Sequence, residues 1–314
     1  MKIGFIGLGN VGAKLAGSLA RNGHDLTVVD LDPEKVAALV AAGAKAGTSP
    51  LALMESCETV ITCLPSPAIC EATLREMLPA VGPGKTWLEM STTDADAVRA
   101  LAQEVADRGG SAVDCPVSGG CHRAATGNIS IFAGCDRPTF ERILPLLKTL
   151  GRRILHTGPV GSASELKVMT NYLATANLLT LCEALATMKA AGHDLGVTYE
   201  AIRISSGTSF VHETESQMIL NGCRDINFTM DLVLKDIGLF DAIAQEHGVP
   251  LEISPLMIQI FKDGIARYGE RAQSDDIIRR LEEPTGLDIT APGFPAEMVD
   301  DEPEEPGYEV RRAG

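Results

Sequence analysis

Lys2-Ile3-Gly4-Phe5-Ile6-Gly7-Leu8-Gly9-Asn10-Val11-Gly12 runs from a short apolar segment straight into the spacing G-x-G-x-x-G. Alone that spacing is weak. Its flanks give it weight: Lys2–Ile6 reads as a strand, Val11–Asn22 as a helix ended by Gly23, and Leu26–Val29 as a second strand leading to Asp30. This is the order of a dinucleotide-binding βαβ unit. Gly7 permits the tight turn, Gly9 lets the backbone approach a pyrophosphate, and Gly12 lets helix and strand pack closely. Leu8, Asn10 and Val11 complete the loop, and the free N–H groups of the helix start face the anion. A carboxylate at Asp30 accepts from both ribose hydroxyls of NAD and repels the 2′-phosphate of NADP. Leu31-Asp32-Pro33 offers no arginine to reverse that preference.

Working outward, short strands at Thr59–Cys63, Trp87–Glu89, Ser111–Asp114 and Ile129–Ala133 alternate with helical stretches such as Pro33–Ala42. Strands alternating with helices predict a mainly parallel sheet. After Gly161 the pattern changes. Ser162–Ala191 holds no Pro or Gly, and further helical segments lie near Tyr199–Ile204, Met230–His247, Pro255–Tyr268 and Asp275–Leu281. The fold class expected is α/β: an amino-terminal Rossmann-type doubly wound sheet over residues 1–161, followed by an all-α domain over 162–282, joined by a long helix. Residues 283–314 are rich in Pro, Gly and acid and read as a solvated tail, or as an arm laid on a partner subunit.

The 314 residues carry a net charge of −15, which sets nucleic acid aside. No apolar run reaches membrane-spanning length and no secretory signal is visible, so a cytoplasmic protein is expected. The eight cysteines form no C-x-x-C pair and no zinc spacing with a histidine, so neither a metal site nor a disulfide framework is expected. Leu166, Met169, Leu173, Ala176, Leu179 and Leu185 make the long helix apolar on most sides, which predicts a homodimer or homotetramer.

Further motifs stand in order along the chain: Asp114-Cys115-Pro116-Val117-Ser118-Gly119-Gly120, then Gly158-Pro159-Val160-Gly161, Lys167-Val168-Met169-Thr170-Asn171, Ser205-Ser206-Gly207 and Asp231-Leu232-Val233-Leu234-Lys235-Asp236. With the glycine loop, they make residues 1 to about 282 resemble the β-hydroxyacid dehydrogenase family, whose members include 3-hydroxyisobutyrate dehydrogenase and tartronate semialdehyde reductase. The resemblance implies NAD as cofactor and a small 3-hydroxy acid or its semialdehyde as substrate. It implies a cofactor contact at Leu64-Pro65, at Thr92 and at Lys235. It places the substrate on Ser118, Gly119 and Gly120, and makes Lys167 the catalytic residue with Asn171 as its partner. Arg123 corresponds to a basic residue of tartronate semialdehyde reductases, so a more polar or dianionic substrate is expected.

The chemistry is sound on its own terms. Oxidising an alcohol removes a proton as hydride departs, and a lysine can hold the hydroxyl oxygen and carry that proton. The ordinary lysine pKa lies well above neutrality, and desolvation beside a positive ring would lower it. Asn171 lies four residues beyond Lys167, on the same helix face. The Ser118-Gly119-Gly120 turn offers a hydroxyl and backbone N–H groups to a carboxylate. Semialdehyde reduction is the same reaction run backwards. An imine reductase of similar fold usually lacks the lysine, and a non-catalytic NAD-binding module is expected to have lost it. Lys167 with Asn171 therefore favours the hydroxy-acid enzyme.

Overall fold

The computed structural model describes residues 1–311. The chain divides into two compact units: residues 1–167 together with the segment from Asp300 onward, and Val168–Val299.

Among the described residues, the first unit is built on ten strands: β1 (Lys2–Ile6), β2 (Asp25–Val29), β3 (Lys45–Ala46), β4 (Thr59–Thr62), β5 (Thr86–Glu89), β6 (Ser111–Asp114), β7 (Val117–Ser118), β8 (Ser130–Gly134), β9 (Arg153–Gly158) and β10 (Tyr308–Val310). Their order is β10-β9-β8-β6-β5-β4-β1-β2-β3, with β7 paired to β8. Each of these pairings is parallel except those of β8 with β6 and β7. Between them run α1 (Gly12–Arg21), α2 (Pro33–Ala41), α3 (Pro50–Ser56), α4 (Pro67–Met77), α5 (Ala95–Ala106), α6 (Gly120–Thr126) and α7 (Arg137–Leu150). Ser49, Ser66, Asp94 and Asp136 start four of these helices by accepting from a backbone N–H three residues on. The pairing of side-chain cap with proline explains why α3, α4 and α7 begin where they do.

Both sheet faces are covered, which accounts for strands such as Thr59–Thr62 that are buried at every position. Ile3, Phe5, Ile61 and Leu88 pack into one cluster, and Ile6, Val60 and Trp87 into another. The β3-β2-β1-β4-β5-β6 portion reverses direction of winding between β1 and β4, and a crevice opens beyond the carboxyl ends of strands at such a point.

Helix α8 (Ser162–Ala190) follows, with its first six residues in the first unit. The second unit then holds α9 (Leu195–Arg203), α10 (Phe210–Asn221), α11 (Met230–Glu246), α12 (Ile253–Tyr268) and α13 (Arg279–Thr285), the last preceded by a 3-10 turn over Ser274–Ile278. Leu178, Leu185, Ile219, Val233, Ile237 and Phe261 form its core.

Residues 283–311 do not form one solvated tail; the last three residues of the expected tail lie outside the described residues. Ile289 is wholly buried in the core of the second unit, where Leu287, Ala291 and Phe294 also pack. Ala291 N–H donates to the Leu220 carbonyl at 2.8 Å, and the Asn221 amide donates to the Phe294 carbonyl at 2.8 Å. From Asp300 the chain lies on the first unit and ends the sheet as β10. Composition marks this segment as unable to fold by itself; the packing that orders it comes from elsewhere in the same chain.

The helical unit also holds a carboxyl pair, one member buried and the other half-buried. Asp275 is fully buried beside Glu215, and burial followed by the neighbouring carboxylate pushes its pKa far up; burial raises that of Glu215 as well. A raised carboxyl pKa contributes stability that is complete below the ordinary carboxylate range and is lost as pH rises through the raised value. Asp275→Asn is therefore expected to raise Tm relative to the parent at pH 8, with the gain shrinking toward pH 5. Urea unfolding at pH 8 is expected to show the same gain in stability. A variant that is less stable than the parent at both pH values contradicts this.

Candidate active site

The glycine loop sits where β1 ends. A Cβ on Gly7, at φ +94°, would lie 2.3 Å from the Cys63 carbonyl oxygen, and one on Gly12 would lie 2.1 Å from the Gly7 carbonyl oxygen. Only glycine allows β1, the loop and α1 to close on the end of β4 this tightly. A Cβ on Gly9 meets nothing within 4 Å. That open position beside two closed ones is the cradle a pyrophosphate needs, and the residues present fit a dinucleotide.

Asp30 stands at the end of β2. Its carboxylate accepts from Leu8 N–H at 2.5 Å and from Asp32 N–H at 2.8 Å, so it is locked against the loop. Leu8 is buried beneath the loop, while Asn10 is exposed and Val11 is half-buried at the helix start. Leu64 and Pro65 follow β4, and Leu64 N–H donates to Ser91 Oγ at 2.7 Å. Ser91 is the neighbour of half-buried Thr92, so one hydroxyl ties together two of the loops expected at the cofactor. The support beneath is a buried polar network that the motifs did not reveal. Glu89, fully buried, accepts from Thr62 Oγ1 and Ser91 N–H, each at 2.7 Å; Trp87 Nε1 donates to Thr62 at 2.8 Å. Burial raises the Glu89 pKa.

The second cluster of the first unit gathers Ser118, Gly119, Gly120 and Lys167. Gly119 and Gly120 hold φ of +127° and +85°, which turns the chain from β7 into α6. Lys167 is buried, with Nζ 3.4 Å from Ser118 Oγ. What brings them together is Asp114, a wholly buried residue at the end of β6. It accepts from Ser164 N–H at 2.8 Å and Ser164 Oγ at 2.7 Å, and so pins the first turn of α8. Burial raises its pKa against the opposing pull of these donors. Asp114 headed the motif in the sequence, but nothing there assigned it a task.

In the second unit, Asn171 Nδ2 donates to Asp236 Oδ2 at 2.6 Å, and Lys235 Nζ lies 3.1 Å from Asp236 Oδ1. Asp236 is buried. One carboxylate thus holds two of the expected site residues and dictates that the amide of Asn171 turns its NH₂ inward. The sequence motif ends on Asp236 but assigns it no task. His212, which stands near the Ser-Ser-Gly motif, is 1% exposed; its Nε2 contacts the Tyr199 carbonyl at 3.0 Å and its ring packs on Tyr199. It serves the interior of the helical unit. Arg123 lies across Gly119 and meets Glu302 at 3.4 Å. Among the described residues, no group of three His, Cys, Asp or Glu is placed to hold a metal ion, and no helix is long and apolar enough to cross a membrane.

Two family models match the chain in tandem. Residues 2–158 match the NAD binding domain of 6-phosphogluconate dehydrogenase, and residues 161–281 match the NAD-binding domain of NADP-dependent 3-hydroxyisobutyrate dehydrogenase. The chain is 33% identical over 294 residues to 2-(hydroxymethyl)glutarate dehydrogenase of Eubacterium barkeri, covering 92% of this chain and 98% of that one. It belongs to the β-hydroxyacid dehydrogenase family. Another member, the NAD-dependent L-serine dehydrogenase of Pseudomonas aeruginosa, is 31% identical over 90% of this chain and 98% of its own length. The crystal structure of a 3-hydroxyisobutyrate dehydrogenase from Salmonella typhimurium shares the family fold at TM-score 0.83, with 24% identity over 89% of this chain and 99% of that one. The chain is therefore a nicotinamide-dinucleotide oxidoreductase with a Rossmann-type unit and a helical unit.

Proposed function

We propose that the protein oxidises a small 3-hydroxy acid with NAD, or reduces the matching semialdehyde, through Lys167. The observation that carries this reading is the buried Lys167 side chain, whose Nζ lies 3.4 Å from Ser118 Oγ, on the turn expected to bind the substrate carboxylate. Bound NAD supplies the hydride acceptor. Ser118 and the backbone of Gly119 and Gly120 take the carboxylate, which brings the hydroxyl of a 3-hydroxy acid within reach of a base on the next element. Lys167 Nζ takes the hydroxyl proton as the carbon's hydrogen leaves with its electron pair; in reduction the ammonium returns that proton. Asn171, with its amide turned by Asp236, presents a carbonyl oxygen as acceptor, and Lys235, beside the same carboxylate, keeps the cofactor role that the family resemblance implies.

Asp30 underlies the choice of NAD over NADP. Asp30→Ala is expected to lower the kcat/KM preference for NAD by about ten- to a hundredfold, the worth of one or two hydrogen bonds to a charged acceptor. A parent enzyme that prefers NADP removes this assignment. The substrate is a small hydroxy acid whose further groups are polar or anionic, a class suggested by two relatives that act on 2-(hydroxymethyl)glutarate and L-serine by name; Arg123, which meets Glu302, is not assigned to those groups. The deciding experiment is an NAD-coupled assay across 3-hydroxy acids with one carboxylate, with two carboxylates, and with an added polar group. Turnover of at least one class supports the reading, and no turnover of any acid or semialdehyde opposes it. Eight reduced cysteines and an acidic surface fit a cytoplasmic setting. Leu166 and Leu173 of α8, 37% and 51% exposed, fit a homo-oligomer that covers them.

A further inference from the structure

The segment from Asp300 lies on the α/β unit as a strap, beyond the stretch that the family models match. It docks by backbone as well as by charge. Gly307 N–H donates to the Lys148 carbonyl and Tyr308 N–H to the Arg152 carbonyl, both at 2.9 Å, before β10 joins β9. A Cβ on Gly307 would stand 2.0 Å from the Gly151 carbonyl oxygen, so the approach is closed to other residues.

Its first residues converge on α6. Asp300 Oδ2 accepts from Asn128 Nδ2 at 2.7 Å and from Thr126 Oγ1, and the Glu302 carbonyl accepts from Asn128 Nδ2 at 2.8 Å. Asn128 is fully buried and the Asp300 side chain is 3% exposed, so these bonds are out of water. Glu302 Oε1 accepts from Arg123 Nη2 at 3.4 Å and from Arg153 Nη2 at 3.1 Å. Arg153 is the main cause holding the Glu302 carboxyl below its usual range.

These contacts lead to the substrate turn. The Arg123 side chain runs over Gly119, its Cδ 3.3 Å from where a Cβ on that residue would be. Helix α6 starts at Gly120 and is only seven residues long. A helix this short does not hold itself, so its placement is set by what packs on it. The strap grips its middle through Arg123 and its end through Thr126 and Asn128.

We propose that Asp300 and Glu302 are positioning residues for the substrate: acting through Arg123, Thr126 and Asn128, the strap fixes Ser118-Gly119-Gly120 in the form that receives the substrate carboxylate. This rests on the proposed role of that turn. It gives an acidic, proline-rich carboxyl terminus a task in substrate binding although it touches no substrate.

The test uses the full chain carrying Asp300→Asn with Glu302→Gln, and Glu302→Gln alone in case the double variant folds poorly. KM for the best hydroxy acid is expected to rise about tenfold in the double variant, with kcat and the KM for NAD within about twofold of the parent, since a loosened turn weakens binding of the acid alone. Glu302→Asp restores most of the loss. Amide exchange over residues 117–128 is expected to quicken in parallel. Unchanged KM, or equal losses for acid and NAD, overturns the proposal. So does a gain in kcat/KM for dicarboxylic over monocarboxylic acids, because the strap would then be masking Arg123 from the substrate. Unchanged exchange in the double variant overturns it whatever the kinetics. A parent enzyme inactive on every hydroxy acid instead strikes the proposed function, and the exchange result still decides whether the strap holds the turn.

Discussion

Lys167→Ala is expected to lower kcat by about 10²- to 10⁴-fold, the usual contribution of a general acid–base group, while NAD still binds. The proposed cofactor cradle, Gly7 to Gly12 with Asp30, is built at the ends of β1, β2 and β4 rather than on α8, which carries Lys167. Loss of the side chain removes the group beside Ser118 that is proposed to exchange the hydroxyl proton, so the loss is expected to fall on turnover. Steady-state kinetics together with NAD titration by fluorescence checks this. Near-parental kcat takes Lys167 out of the mechanism, and loss of NAD binding places its effect in the fold.

The second large effect is expected at Asp114, a wholly buried residue at the end of β6. Asp114→Ala is expected to cost about 2–4 kcal/mol of stability, because it removes a helix cap and orphans buried donors at the start of α8. Those donors, the N–H and hydroxyl of Ser164, lie three residues before Lys167. A first turn that is no longer pinned carries Lys167 away from Ser118, so kcat falls as well, by about tenfold or more. Asp114→Asn keeps an acceptor oxygen and is expected to recover much of both losses. Urea unfolding and kinetics on the same preparations measure the two effects; an Asp114→Ala enzyme of parental stability contradicts the capping role.

The Rossmann half is legible in the sequence because its signals are local. Gly7, Gly9 and Gly12 lie within six residues of one another, and the strands around them are apolar runs bounded by turns. The helical half is legible in outline from Ser162 onward, though α10 escapes the pattern: its apolar residues do not fall on one face, and Val211, Met218, Ile219 and Leu220 are all buried. β9 escapes because Arg153 and His156 interrupt its pattern; one pairs with a strap carboxylate and the other contacts the Cys135 carbonyl. The strap itself is illegible for a stronger reason. Its partners, Arg21, Arg123, Arg137, Arg152 and Arg153, are scattered over more than a hundred residues, and no window of sequence shows that their charges meet those of Asp300 to Glu309. Local motifs likewise point to Lys167, Asn171 and Lys235 but not to Asp114 and Asp236, because a carboxylate that works by holding its neighbours has no signature of its own.

Hydride transfer between a hydroxy acid and NAD, with Lys167 handling the proton, is tested most directly by a single turnover of a 3-hydroxy acid deuterated at its carbinol carbon. Mass spectrometry of the nicotinamide product reads the result. One deuterium is expected on the reduced cofactor, with none acquired from solvent and no transfer on the same timescale by Lys167→Ala. Formation of the oxidised acid with the label lost to water, or transfer by Lys167→Ala at the parental rate, would contradict this mechanism.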